Sequence, residues 1–205
     1  MKLWLLLACA GASCLVWAVT PAVSDQPPQP ITGSQLVEVL RSEHKVAVNF
    51  VQAKEERTVV LSLGRPVGEL LGQLTTDGQY RQRTINGRLV IYPAASALEQ
   101  TVHPPVDELS KHDRFNAAYA YIEWLRDSIP GLQDLVPPAV IGSDLHDAAR
   151  PGKHANEYIS LTPEAQILEH LVELLGANPR RVFTIYPNPS FSGRPVLSFR
   201  IIPLE

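Results

Sequence analysis

Sulfur is nearly absent from this 205-residue chain, which has two cysteines, Cys9 and Cys14, and one methionine. Both cysteines lie within the first 24 residues. Once those are removed no thiol remains, which excludes disulfides, a cysteine nucleophile and a thiolate metal site together. Charge is sparse too: charged residues make up 19% of the chain, the formal net charge is −3 and the pI is near 6.1. A nucleic-acid partner needs clustered lysine and arginine to meet its phosphates, so this balance argues against one. Also missing are a Gly-x-Ser-x-Gly elbow, a phosphate-cradling glycine loop and a His-Glu-x-x-His pair, and with them the chemistries those motifs carry.

The N-terminal segment reads as a secretory signal peptide. Lys2 supplies the positive start, residues 3–19 are almost unbroken apolar sequence, and Ala22-Val23-Ser24 offers small residues for cleavage. A run of about 17 apolar residues barely spans a bilayer, so an uncleaved anchor is the alternative. Neither cysteine follows a good lipoprotein box, and lipid attachment is not expected. Cleavage implies a periplasmic or secreted protein with no stable membrane insertion. Residues 25–30 form a short proline-rich linker, and residues 94–109, with His103-Pro104-Pro105 and no sustained periodicity, read as a second one.

Between the linkers, residues 31–93 show one coherent pattern. Ile31 and a capping pair, Thr32 with Gln35, precede a helix whose Leu36, Val37 and Leu40 share a face. Val46, Val48 and Phe50 alternate along one strand, and Val59, Leu61 and Leu63 along the next. Pro66 opens a second helix in which Val67, Leu70, Leu71 and Leu74 form the apolar stripe, and Gly78 stops it. Asn86-Gly87 then joins residues 80–85 to residues 88–92 in a hairpin of type I′. The spacing predicts that this segment folds alone.

The order strand, helix, strand, strand, helix, strand, strand resembles the secretin and TonB short N-terminal domain, the STN family. The resemblance is carried by Gln29-Pro30-Ile31, Val46-Ala47-Val48-Asn49-Phe50, Val59-Val60-Leu61-Ser62-Leu63, residues 67–74, Gly78-Gln79-Tyr80 and Leu89-Val90-Ile91. It covers roughly a third of the chain and rests mostly on hydrophobic spacing. Secretins continue into ring-forming domains and a pore, and TonB-dependent receptors into a plug and β-barrel, whereas this sequence ends at Glu205. The resemblance implies protein contacts within an envelope system. The expected partner is another envelope or outer-membrane protein, self-association is compatible with this, and no cofactor is expected.

By order and spacing of elements, residues 110–205 repeat the first module in outline. A helix over about 113–128 carries Phe115, Ala118, Tyr119, Ile122 and Leu125 on one face, with Trp124 beside them. Thr162 and Pro163 suit the start of a further helix with Ile167, Leu168, Leu171, Val172 and Leu175 as its stripe. Strands are expected over 181–186 and 195–202. The fold class is therefore α+β, built as two copies of a small two-layer module of order (β)αββαββ, helices on short mixed sheets. Gly-Arg-Pro-Val recurs at 64–67 and 193–196, but one instance opens a helix and the other a strand, so it is coincidence.

Two sets of residues are candidates for function. Arg81, Arg83 and Arg88 cluster on one hairpin, either as a solvated strand face or as a patch for an acidic partner. Residues 129–156 form a long loop, and Asp144, His146, Asp147, His154 and Glu157 in or beside it are the oxygen and nitrogen donors that zinc or another divalent ion takes. Their spacing fits no recognised motif, and a polar solvated loop explains them more simply. His170 is expected at a partly exposed helical position, and Trp124, Tyr119 and Tyr121 as core rather than as a sugar platform. The expected function is a non-enzymatic periplasmic interaction module. A metal-dependent periplasmic hydrolase is the alternative.

Overall fold

The computed structural model describes residues 27–112, 114–129, 161–176, 181–189 and 195–203. The protein is α+β. Strand β1 (Gln29–Thr32) leads into helix α1 (Gly33–Ser42), strands β2 (Val48–Val51) and β3 (Thr58–Leu61), helix α2 (Val67–Thr76) and the hairpin β4 (Tyr80–Ile85) and β5 (Arg88–Pro93). Thr32 caps α1 as expected: its backbone N–H donates to Gln35 Oε1 at 2.9 Å, and its hydroxyl accepts from the Gln35 N–H at 3.4 Å. Asn86 and Gly87 sit at φ of 50° and 74°, the pair of left-handed conformations a type I′ turn requires. Pro66 lies one position earlier than expected, capping α2 rather than opening it.

The central sheet has five strands in the order β4-β5-β2-β8-β9, where β8 is Arg181–Pro189 and β9 is Pro195–Pro203. Strand β2 lies parallel to β5 on one side and to β8 on the other. A central parallel strand is covered on both faces, so all four residues of β2 are buried and no outward polar alternation survives. β1 and β3 pair with each other in a separate antiparallel ribbon.

Helices cover both faces of the sheet. On one face Leu36, Val37 and Leu40 of α1 and Leu70 and Leu74 of α2 pack with Val48, Phe50 and Ile91. Leu71, expected in that stripe, is only partly buried. On the other face Val51, Ile85, Val90 and Tyr92 pack with helices α4 (Arg114–Ser128) and α5 (Ile167–Leu175) and with Phe183 and Ile185. The first half therefore does not bury its own sheet: one face and one strand edge are completed by the second half.

The segment expected as a linker contributes to this second core. Residues 97–99 form a single 3-10 turn, β6 (Thr101–Val102) pairs with β7 (Ala165–Gln166), and α3 (Val106–Leu109) follows. Leu98, Val102 and Leu109 are all buried in it. Helix α5 starts at Ile167, later than Thr162-Pro163 suggests, and the Glu169 carboxylate accepts the Gln166 N–H at 3.1 Å. The α4 stripe is rotated from expectation. Tyr121 is buried with Ala118, Ile122 and Leu125, while Tyr119 is half-buried. Strands β8 and β9 run on to Pro189 and from Pro195, so the connection expected over 187–193 is partly strand.

Candidate interaction surface and its polar links

Each of the three hairpin arginines has a partner within the molecule. Arg81 pairs with Glu99 at 2.8 Å. Arg83 pairs with Glu169 at 2.8 Å and also donates to the Gln166 side chain. Arg88 donates to the Arg181 carbonyl at 3.1 Å, and burial holds its guanidinium below its usual value. All three connect the first-half hairpin to residues that follow it. The same Glu99 accepts from the Tyr92 hydroxyl at 2.6 Å. That bond and the one from Arg81 lower the Glu99 carboxyl, while burial and then Glu99 push the Tyr92 phenol up to about 12.

A second set of buried polar groups ties β2 to β8, and sequence reasoning missed it. Asn49, 1% exposed, accepts the Phe183 N–H at 3.1 Å and donates to the Leu89 carbonyl at 3.3 Å. Arg41, 8% exposed at the end of α1, donates to the Val48 carbonyl at 2.7 and 3.0 Å, to the Phe183 carbonyl at 3.0 Å and to Thr184 Oγ1 at 2.8 Å. A buried guanidinium is tolerated only with partners of this kind. The sequence did carry a signal: Arg41 falls next to Leu40 and four positions after Val37, within the apolar stripe, and Asn49 interrupts an apolar strand.

His170 is fully buried, against the expectation of partial exposure. Its Nε2 lies 2.7 Å from the Thr162 carbonyl, which only accepts, so Nε2 carries the proton. In the neutral ring Nδ1 then accepts from the Tyr121 hydroxyl at 2.9 Å. Burial, with a smaller contribution from Glu173, raises the Tyr121 phenol far above its ordinary value. Glu173 holds Thr162 from the other side, accepting its N–H at 3.2 Å and its hydroxyl at 2.8 Å. These matched polar groups form a packing link between α4 and α5. Trp124 stacks on Tyr121 at 5.8 Å and packs against the same core.

Around the start of α1, the Glu56 carboxylate collects the Ser34 N–H at 2.8 Å, the Ser34 hydroxyl, the Tyr80 hydroxyl at 2.6 Å and the Gln52 side chain at 3.1 Å. A carboxylate suits this helix N-terminus. Gly33 is required beside it, since a Cβ there would lie 2.5 Å from Tyr80 Cε2 and 2.9 Å from Glu56 Oε1.

Asp144, His146, Asp147, His154 and Glu157 lie outside the described residues. Among the described residues no three His, Cys, Asp or Glu side chains come together as a metal site, and no helix is long and apolar enough to cross a membrane. A cleft of about 390 Å³ opens between the β4–β5 turn and α5, lined by Arg83, Asn86, Glu164, Glu169 and Glu173. Its Arg83 and Glu169 are paired with each other, and Glu173 with Thr162. At the two edges of the central sheet no described strand lies beyond β4 or beyond β9. Compared with known families, curated proteins and solved structures, the chain matched none of them.

Proposed function

We infer that the chain is a non-enzymatic interaction module of a bacterial envelope system, exported to the periplasm, that docks to another envelope or outer-membrane protein. The observation that carries this reading is the pair of edge strands, β4 and β9, beyond which no described strand lies, on a small mixed sheet whose buried Arg41 and Asn49 have partners within it. An unpaired edge presents a row of N–H and C=O groups that an extended segment of a partner completes as an added strand. The element order from β1 to β5 supports the same reading through its resemblance to STN modules. The later order, α4 and then α5 followed by the β8–β9 hairpin, is compatible with a diverged second copy fused edge to edge with the first.

The test is affinity capture from an envelope extract with residues 25–205, followed by reconstitution of the purified pair. A stoichiometric complex supports the module. About one equivalent of tightly held zinc or manganese, lost when His146 and His154 are both changed to alanine, together with no reconstituted complex, would replace it with the metal-dependent hydrolase.

A further inference from the structure

We propose that β9 is a self-association edge, occupied by β9 of a second copy of this chain in an antiparallel, two-fold symmetric pair. The inference rests on the reading of the sheet edges as interaction surfaces, and it names the occupant of one of them.

Backbone direction along β8 fixes which groups of β9 face outward. The Phe183 N–H goes to Asn49, its carbonyl accepts from Arg41, and the Ile185 carbonyl accepts the Gln52 N–H at 2.8 Å. The odd-numbered residues of β8 thus turn their backbone groups toward β2, leaving Val182, Thr184 and Tyr186 to face β9. Their register partners are Ile202, Arg200 and Ser198. Since hydrogen-bonding direction alternates along a strand, the N–H groups of Leu197, Phe199 and Ile201 point away from the sheet, where no described strand receives them.

An identical strand fits this edge in full. Outward-facing positions on two antiparallel edges must meet outward-facing positions, which allows only registers in which odd residues meet odd ones. The register that uses all nine residues of Pro195–Pro203 is one of these, centred on Phe199 opposite Phe199 of the second copy. It sets Leu197 opposite Ile201, Val196 opposite Ile202, and Ser198 opposite Arg200. Apolar positions meet apolar ones, and the strand's single charge meets a hydroxyl residue rather than its own copy. A shift that centres the pair on Arg200 would oppose two guanidinium residues and shorten the ladder. Proline at both ends, lacking an N–H, bounds the pairing. Strand β4 does not offer this: its full six-residue self-register would oppose odd with even positions, and its Arg81 and Arg83 are held by Glu99 and Glu169.

The experiment is sedimentation velocity over a concentration series on residues 25–205, as wild type, Ser198→Glu and Ser198→Lys, with amide exchange read at Leu197, Phe199 and Ile201. The expected result is a concentration-dependent dimer whose three amides gain protection as it forms. Each dimer contains two Ser198–Arg200 pairs, so Ser198→Glu tightens it by about tenfold and Ser198→Lys weakens it by about tenfold. A monomer at every concentration overturns the proposal, as does a dimer indifferent to both charges. So does a monomer whose three amides are already protected, since the edge is then covered from within the chain. A monomer that still forms the envelope complex sinks this inference alone, whereas a dimer that captures no partner sinks the envelope reading alone.

Discussion

The two faces of the central sheet are built in different ways. Among the described residues, the core beneath α1 and α2 comes from between Ile31 and Ile91, whereas the opposite core draws on residues from Val51 to Ile185. One face is therefore assembled from contacts near in sequence and the other from contacts that wait on distant chain. A hydrophobic pattern specifies the first kind well, because helix and strand periods fix what faces inward locally. It says little about the second, where Val90 and Tyr92 pack with partners as far along the chain as Phe183 and Ile185. The comparison also shows why a first half that reads as complete is not self-sufficient.

The sharpest way to break the contrast is to cut the chain. A fragment of residues 27–93 would expose Val51, Ile85, Val90 and Tyr92 and leave Arg41 and Asn49 without β8. Four such side chains are worth about 1.5–3 kcal/mol each, against a total stability of about 5–15 kcal/mol for a typical domain. The fragment should show no cooperative urea transition by circular dichroism.

Single core changes then compare the faces directly. Leu70→Ala and Leu168→Ala each empty a fully buried position, one under each face, and each should lower stability by about 2–5 kcal/mol in denaturant titration. Equal losses of one shared transition would mark a single cooperative unit. Leu71→Ala, at the partly buried neighbour, should cost clearly less than Leu70→Ala.

The strand link ranks next. Asn49→Ala leaves the Phe183 N–H without its acceptor, and Arg41→Ala takes the guanidinium donors from the Val48 carbonyl. Each orphaned buried group costs about 1–3 kcal/mol. Because both side chains hold Phe183, the double mutant should fall short of the sum by about 0.5 kcal/mol or more. Strict additivity would mean that they act on separate parts of the fold.

Legibility followed the same division. The capping pair Thr32 and Gln35, the Asn86-Gly87 turn, the inward positions of α1 and the stripe of α5 could all be read from local spacing. The α4 stripe could not, because Tyr119 and Tyr121 both satisfy a helical period, and it is Tyr121 that packs in the second core and meets His170. The segment 94–109 read as a linker because its proline and alanine content hides isolated apolar anchors, Leu98, Val102 and Leu109, which matter only once α5 and β7 are alongside. Arg81, Arg83 and Arg88 were legible as a cluster but not as internal ties, since Glu99, Glu169 and the Arg181 carbonyl are identified only by the fold.

The smallest expected effect is on pH dependence near the boundary between the halves. The Glu99 carboxyl lies below its ordinary value in the fold, so its contribution is present above the ordinary carboxylate range and is lost as pH falls through the folded value. The Tyr92 phenol is raised, so its contribution is present below the ordinary phenol value and disappears as pH rises through about 12. Tyr92→Phe removes the shared hydrogen bond. It should cost about 1 kcal/mol at neutral pH and reduce both limbs of the stability profile.

The central claim is that one sheet runs through both halves across the β2–β8 junction. Native-state amide exchange tests it most directly, by comparing Phe183 and Gln52 at the junction with Val90 inside the first half. A continuous sheet predicts that all three exchange only through global unfolding, with the same free energy and the same denaturant dependence. Junction amides that exchange orders of magnitude faster than Val90, with little denaturant dependence, would show two separately folding halves and contradict it.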